Sequence, residues 1–376
     1  MGRLLLLFPF LFLFLAACGA PAAAPSETGA PASPVTATIR HGFQIDYGND
    51  YERAVKLTQE AGFGWAKLQV RWADYEPSRG KTDFAYLDQV VDAAKAQNLR
   101  LLFSVTTAPQ WARPPGSDLS VDGPPADPKT YASFVETLAK RYKGKVGAFE
   151  IWNEQNLSRE WGGPGKVNAG EYVALLKSAH GAIKRTDKDA LVISGAPTPS
   201  GEVAIPEMGG HLASDDIEYF RQMYQAGMKG YFDGIGVHPS GFNNAPDLDP
   251  KEERVLVRAG RFHNHRSFYF RNFEAYRDEM VRQGDQAKEL WFTEFGWASG
   301  GQAGQEWAYA HETSEQQQAD YLLKAFHLAK ARGYVGAMFV WNLNFFGTDY
   351  AKRAFAVLNP DWTPRPAYKA LSSMAK

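Results

Sequence analysis

Along this 376-residue chain, short stretches in which almost every position is apolar alternate with longer ones in which apolar residues recur every three or four positions. A strand that is hydrophobic on both faces belongs to a covered parallel sheet, and the longer period is that of a helix with one buried face. The pattern predicts strands at His41 to Asp46, Trp65 to Arg71, Arg100 to Thr106, Val146 to Asn153, Leu191 to Gly195, Phe232 to His238, Leu290 to Glu294 and Gly336 to Asn342. Helices are predicted near Tyr51 to Ala61, Phe84 to Gln97, Thr130 to Tyr142, Gly170 to Arg185, Asp216 to Ala226, Ser267 to Arg282, Glu315 to Arg332 and Arg365 to Met374. Gly62, Gly144, Gly227, Gly284 and Gly333 stand just past helical runs, where C-terminal capping glycines are expected. Eight strand and helix alternations predict an α/β protein, a single-domain (β/α)8 TIM barrel whose loops after strands build the active face. Such a barrel uses about 250 residues, so the surplus is expected in those loops. The longest, from His238 to Arg266, carries Asn243-Asn244, Asp247-Leu248-Asp249-Pro250 and an aromatic and basic stretch, and is expected to form a cleft wall or lid.

The beginning of the chain follows a different pattern. Met1-Gly2-Arg3 carries one charge, Leu4 to Leu15 is apolar but too short to span a bilayer as a mature helix, and Leu15-Ala16-Ala17-Cys18 matches a bacterial lipobox. Residues 1–17 are therefore expected to be a lipoprotein signal peptide. Cys18, the single cysteine, is expected to be the lipidated N-terminus of an exported protein at the cell surface or the periplasmic side of a membrane. Gly19 to Thr36, rich in Ala, Pro, Ser and Thr, is expected to be a flexible tether, leaving 37–376 as the barrel domain. A net charge of −1 with no Lys/Arg-rich tract excludes a nucleic-acid surface. No apolar stretch after the leader could span a membrane, so the lipid anchor is the expected membrane contact, and no protein partner is indicated. The abundant aromatic residues suit a carbohydrate surface, although in any barrel most of them pack the core.

Two apolar runs carry the candidate chemistry: Phe149-Glu150-Ile151-Trp152-Asn153-Glu154-Gln155-Asn156 and Leu290-Trp291-Phe292-Thr293-Glu294-Phe295-Gly296-Trp297. Either glutamate alone is as readily a capping neighbour or a loop ion pair. Together, at the C-terminal ends of the fourth and seventh strands, they suit glycoside hydrolysis, in which one carboxyl protonates the leaving oxygen while another attacks the sugar carbon or activates water. Trp152-Asn153-Glu154 and Thr293-Glu294-Phe295-Gly296 resemble the acid/base and nucleophile strands of clan A retaining glycoside hydrolases. Phe149 to Leu157, with Trp161-Gly162-Gly163 and a helix beginning near Asn168, resembles family 39 most closely, apart from Gln155, where that family usually has proline. The resemblance implies a retaining enzyme that cleaves β-glycosidic bonds of an oligo- or polysaccharide by double displacement without a cofactor. Glu154 would be the acid/base and Glu294 the nucleophile, their carboxyls roughly 5 to 5.5 Å apart rather than the roughly 6.5 to 9.5 Å of an inverting pair. The acid/base is expected to have a raised pKa, and the nucleophile to stay ionised.

The same resemblance implies the supporting residues. Arg71 would hold and orient the nucleophile, Asn153 would contact the sugar 2-hydroxyl, and His238 occupies the sixth-strand position. Trp341 matches a sugar-stacking platform, with a non-proline cis peptide expected at Trp341-Asn342. The clan often has a tyrosine two residues beyond the histidine; here it is Ser240, so that donor is missing or displaced. Of the tryptophans on loops after strands, Trp111 and Trp297 are expected to line the cleft ahead of Trp161 and Trp307. Period two puts Glu150 on the face of Glu154, and Lys67 and Gln69 on the face of Arg71, which predicts an internal, structural Lys67 to Glu150 pair. His41-Gly42-Phe43 lacks the His-x-His pair of a metal-dependent barrel hydrolase, so no metal is expected. The non-enzymatic alternative is a carbohydrate-binding surface lipoprotein that has lost catalysis on the same barrel. A periplasmic-type sugar receptor would need two interleaved lobes, which the pattern lacks.

Overall fold

All eight predicted strands form in the computed structural model, which describes residues 38–46, 50–201, 203–205, 210–252, 264–300, 305–345 and 350–375. They are β1 Arg40–Ile45, β2 Trp65–Arg71, β3 Arg100–Thr106, β4 Val146–Ile151, β5 Leu191–Ser194, β6 Gly234–Val237, β7 Glu289–Phe295 and β8 Val335–Val340. Each pairs in parallel with its neighbours in sequence, and β8 closes on β1, giving a closed eight-stranded barrel. The described residues lie within one unit, Pro34–Lys376. The expected signal peptide, Cys18 and the tether lie outside the described residues.

The helices Tyr51–Glu60, Ala85–Ala96, Pro128–Arg141, Ala169–Thr186, Asp216–Gln225, Phe273–Arg282, Glu315–Arg332 and Pro366–Ser373 alternate with the strands. Their starts are set by side chains that accept first-turn N–H bonds, among them Asp50, Asp127, Asn168, Asp215 and Ser314. The five predicted capping glycines all have left-handed φ, from 71° to 83°. The helix expected from Ser267 begins at Phe273, because two 3-10 turns, Arg266–Phe268 and Phe270–Asn272, precede it. Among the described residues no helix is long and apolar enough to cross a membrane.

Inside the barrel, alternate positions of the strands stack in layers. Where the strands begin, Trp65, Leu102, Ala148, Ile193, Trp291, Ala337 and Phe339 form an apolar plug. Two residues further along, the plug gives way to Lys67, Ser104, Glu150 and Thr293, all fully buried. A second, larger apolar layer fills the space between the strands and the surrounding helices. Polar groups so deeply buried must satisfy one another, and their pairing prepares the site above them.

Candidate active site

Past Ile151 the chain turns sharply, with Trp152 at φ 73° and Glu154 at φ 46°. Non-glycine residues hold such left-handed backbone only where the surroundings impose it. Here the Trp152 N–H donates to the Val105 carbonyl at 3.0 Å, its indole N–H donates to the Glu160 carbonyl at 3.0 Å, and the Glu154 N–H donates to the Ala196 carbonyl at 3.0 Å. Gln155, fully buried, donates to the Gly195 carbonyl at 2.8 Å. A side chain at Gly195 would put its Cβ 2.4 Å from the Ile151 carbonyl oxygen, so glycine lets the end of β5 lie flush against the turn. The turn fixes Glu154 over the barrel mouth.

Glu294 stands within β7, across the mouth. One carboxylate oxygen of each glutamate and one ring nitrogen of His238 all lie within 4.8 Å of one another. The two carboxylates thus face each other closely enough to act on one sugar carbon placed between them. Among the described residues the same trio has the spacing of a metal-ligand set. An ion there would occupy the oxygens that sugar chemistry needs.

The cation beneath Glu294 is Lys67. Its Nζ is 2.8 Å from Glu294 Oε1 and 3.3 Å from Glu150 Oε2, with the Lys67 and Glu150 side chains wholly buried. Glu150 also accepts from the Thr293 hydroxyl at 2.6 Å. Burial disfavours the Lys67 ammonium, but the charges of Glu150 and then Glu294 outweigh it and hold the lysine above its ordinary pKa. The predicted Lys67 to Glu150 pair is therefore present, and it also reaches Glu294. Arg71, expected at the nucleophile, forms a two-point pair with Asp122 at 2.8 and 3.1 Å and stands 3.6 Å from Asp74. As the last residue of β2 it lies at the rim, two pleats above Lys67, where the loop after β3 delivers Asp122.

Glu154 has a looser set of partners. His238 Nδ1 is 3.1 Å from its Oε1, and Arg159 is 3.1 Å from its Oε2. Burial pushes the Glu154 carboxyl up, but the hydrogen bond from His238, the Arg159 charge and a bond from Thr198 outweigh it and hold the group down at about 2. The raised value expected of the acid/base is instead found at Glu160, which burial, and then the nearby Glu154 charge, push up to about 8. Arg159 also stands 3.6 Å from Glu160.

Glu154, Glu294, Arg159, Glu160 and Asp122 line a cavity of about 560 Å³ whose walls also include Gln44, Gln69, Arg71, Asn153, His238 and Trp341. That volume falls within the range of small-molecule sites. Asn153 is buried, and its Oδ1 has no hydrogen-bond partner among the described residues. Trp341 meets Phe345 and Phe355 edge-on, and the Trp341–Asn342 peptide is cis, as the resemblance implied. Ser240 and Phe242 bring the start of the long loop to the wall, and Tyr309 brings a phenol from the segment after β7. The loop's stretch 253–263 lies outside the described residues, as does the side chain of Trp307.

Two expected cleft residues are elsewhere. Trp297 is fully buried, packs on Phe270 and Tyr321, and donates to the Asn244 carbonyl at 2.8 Å; it anchors the long loop from below. Trp111 packs edge-on against Trp72, donates to the Glu76 carbonyl at 2.9 Å and lies under Arg79, outside the cavity lining. Trp161 is buried between Trp152 and Tyr172. Sequence reasoning missed Arg159, Glu160, Asp122 and Thr198. The first two immediately precede Trp161-Gly162-Gly163, and their charges beside Glu154 were the available signal.

Comparison with known proteins agrees with this fold. The barrel is similar to a family 39 glycoside hydrolase from the gut symbiont Bacteroides cellulosilyticus WH2, with TM-score 0.65 and 21% identity, covering 90% of this chain and 63% of that one. It is similar to xylanase 10B from Thermotoga petrophila RKU-1 in complex with xylobiose, with TM-score 0.56 and 18% identity, over 89% and 92% of the two chains. GH5_18 from Streptomyces cattleya in complex with GlcNAc is also similar, with TM-score 0.60 and 14% identity, over 89% and 79%. A curated β-galactosidase from Arthrobacter sp. is 27% identical over 156 residues, 33% of this chain, and the match spans 22% of that relative's length. The family model described as Cellulase (glycosyl hydrolase family 5) matches residues 27–345. The eight-stranded barrel, the paired glutamates at the ends of its fourth and seventh strands, and a family match over most of the sequence place the chain in clan A of the glycoside hydrolases, and it belongs to the glycosyl hydrolase family 5 cellulase family.

Proposed function

We propose that this protein is a retaining glycosidase that cleaves β-linked units of an oligo- or polysaccharide, with Glu294 as nucleophile and Glu154 as acid/base. The observation that carries this reading is the approach of the two carboxylates to within 4.8 Å at the floor of a cavity large enough for a sugar. In the first step Glu294 attacks the anomeric carbon while Glu154 gives its proton to the leaving oxygen, leaving a glycosyl-enzyme. In the second, Glu154 takes a proton from water, which attacks the same carbon and frees Glu294. Lys67 suits this cycle, because it stays paired with Glu150 when Glu294 loses its charge to the covalent bond. The unpartnered Asn153 oxygen suits a sugar hydroxyl, and the Trp341 face suits the apolar side of a ring. The lipobox ending at Cys18 supports export and a lipid anchor, and Cys18→Ser should release the protein from membranes with its specific activity intact.

Glu154→Ala should spare substrates with an activated leaving group in the first step, and azide should restore turnover as a β-glycosyl azide, because azide attacks the intermediate without a general base. Glu294→Ala should lose the covalent route, with small anions giving product of inverted configuration. A Glu154→Ala enzyme that azide leaves silent would overturn the assignment, and a chain that binds polysaccharide but turns over no aryl glycoside would favour the binding-protein alternative.

A further inference from the structure

We propose that Arg159 and Glu160 form a charge switch for Glu154: Arg159 pairs with whichever of the two carboxyls is ionised, and its transfer to Glu160 leaves Glu154 free to carry the proton the leaving group needs. This inference rests on the reading of Glu154 as acid/base. That role requires Glu154 to be an acid in the first step and a base in the second. With His238 and Arg159 both engaged it is well prepared as a base and poorly as an acid.

The geometry supplies an alternative partner. Arg159 bridges the two carboxyls, a terminal guanidinium nitrogen 3.1 Å from Glu154 and its Nε 3.6 Å from Glu160, so a small rotation shifts its charge from one towards the other. Its side chain is 66% exposed, whereas those of Glu154 and Glu160 are 14% and 16% exposed, so the cation has more room to move than the acids. The Glu160 backbone is tied at both ends, its N–H donating to the Leu157 carbonyl at 3.1 Å and its carbonyl accepting the Trp152 indole. The other charged groups that face this pair are engaged elsewhere: Arg71 with Asp122, and Lys67 with Glu150 and Glu294. Glu154, Asp122 and Glu294 favour a proton on Glu160, and Arg159, with a weaker contribution from Arg71, opposes it, so contact with Arg159 favours the charged Glu160 and its departure the protonated one.

One proton is thus shared over two carboxyls. At rest it is on Glu160, with Arg159 on ionised Glu154; exchange through solvent water moves it to Glu154 as Arg159 crosses to the newly ionised Glu160, and that is the form that reacts. Glu154 gives it to the leaving oxygen, Arg159 crosses to the new carboxylate, and Glu160 takes a proton from solvent water. When water attacks the glycosyl-enzyme, its proton returns to Glu154, Arg159 crosses back, and Glu160 releases its proton to solvent. The pair ends in the form that reacted.

The pH dependence of kcat/KM for an unactivated β-glycoside tests this with three variants. In Glu160→Gln the cation stays on Glu154, so the basic limb should move down by about one pH unit or more, with about a tenfold loss just above it, while an activated aryl glycoside loses far less. In Arg159→Gln the basic limb should move up by about one unit. The double variant should follow Arg159→Gln, since Glu160 acts through Arg159. An unmoved limb in Glu160→Gln, shifts of the same sign in both single variants, or a double variant that keeps the Glu160→Gln shift would overturn the switch. Arg159 is largely exposed, so its variant remains informative if Glu160→Gln folds poorly, and an unmoved limb there also overturns the proposal. If azide rescues Glu154→Ala while these limbs stay in place, the switch alone fails; if azide does not, the acid/base assignment fails with it.

Discussion

Glu294 and Glu154 face each other across one cavity, but they are held in opposite ways. Glu294 rises from inside a strand and rests on Lys67, which is itself fixed by Glu150 in the sealed layer above the apolar plug. Glu154 follows a strained turn and is held by a loop arginine, a histidine and a threonine. The proposed chemistry accounts for the contrast. A nucleophile keeps one protonation state and gains from a rigid, solvent-free counter-charge. An acid/base changes protonation twice in each turnover, and so gains from partners that can be exchanged. Rigid support is built into the barrel and adjustable support into the loops.

The largest effect is expected at Lys67. Lys67→Met leaves Glu150 as an uncompensated buried carboxylate, so stability should fall by about 3 to 5 kcal/mol by denaturant or thermal unfolding. Activity should fall by about 100-fold or more, as when a preorganised electrostatic contact is removed. Adding Glu150→Gln should recover much of the stability and little of the activity; recovery of both would make the clamp merely structural. On the other arm, His238→Gln should cost about ten- to hundredfold in kcat/KM for unactivated substrates, the value of a hydrogen bond to a charged group, with little change in unfolding. Because His238 holds the Glu154 carboxyl down, its loss should also move the basic limb of that profile to higher pH.

A backbone test follows. Gly195→Ala forces a methyl group against the Ile151 carbonyl and should destabilise the fold by about 1 to 3 kcal/mol, displacing Glu154 more than Glu294. Azide rescue and leaving-group dependence would read that displacement. The smallest effect is electrostatic. Glu160 has a folded-state value of about 8 against an ordinary 4.5, so the folded state binds its proton more tightly. The stability this contributes is complete below the ordinary value and is lost as pH rises towards about 8. Melting temperatures across that interval should fall less steeply for Glu160→Gln than for the wild type.

The barrel was legible because its strands are hydrophobic on both faces and its helices end on glycines, signals that are local and repeated. Period two alone placed Lys67 and Glu150 together inside. The reach of Lys67 to Glu294 depends on how barrel closure faces β2 towards β7 across the interior, which no local pattern encodes. For the same reason Arg71 was assigned to Glu294 when its position at the rim gives it to Asp122. Trp297 and Trp111 misled because a tryptophan after a strand can pack beneath a loop as readily as line a cleft, and only the fold decides which. Arg159 and Glu160 belong to no periodic pattern, and only the turn at Trp152 and Glu154 brings them over the mouth.

The central claim is that Glu294 forms the covalent bond and Glu154 does not. A 2-fluoro β-glycoside with an activated leaving group, incubated with the wild-type enzyme and followed by peptide mass spectrometry, tests it most directly, with the sugar first chosen from an aryl glycoside panel. One glycosyl unit is expected on the peptide that contains Thr293-Glu294-Phe295, at the Glu294 carboxylate, with reactivation as that bond hydrolyses. A label on Glu154, Glu160 or any other residue, or a wild-type product of inverted configuration, would contradict it.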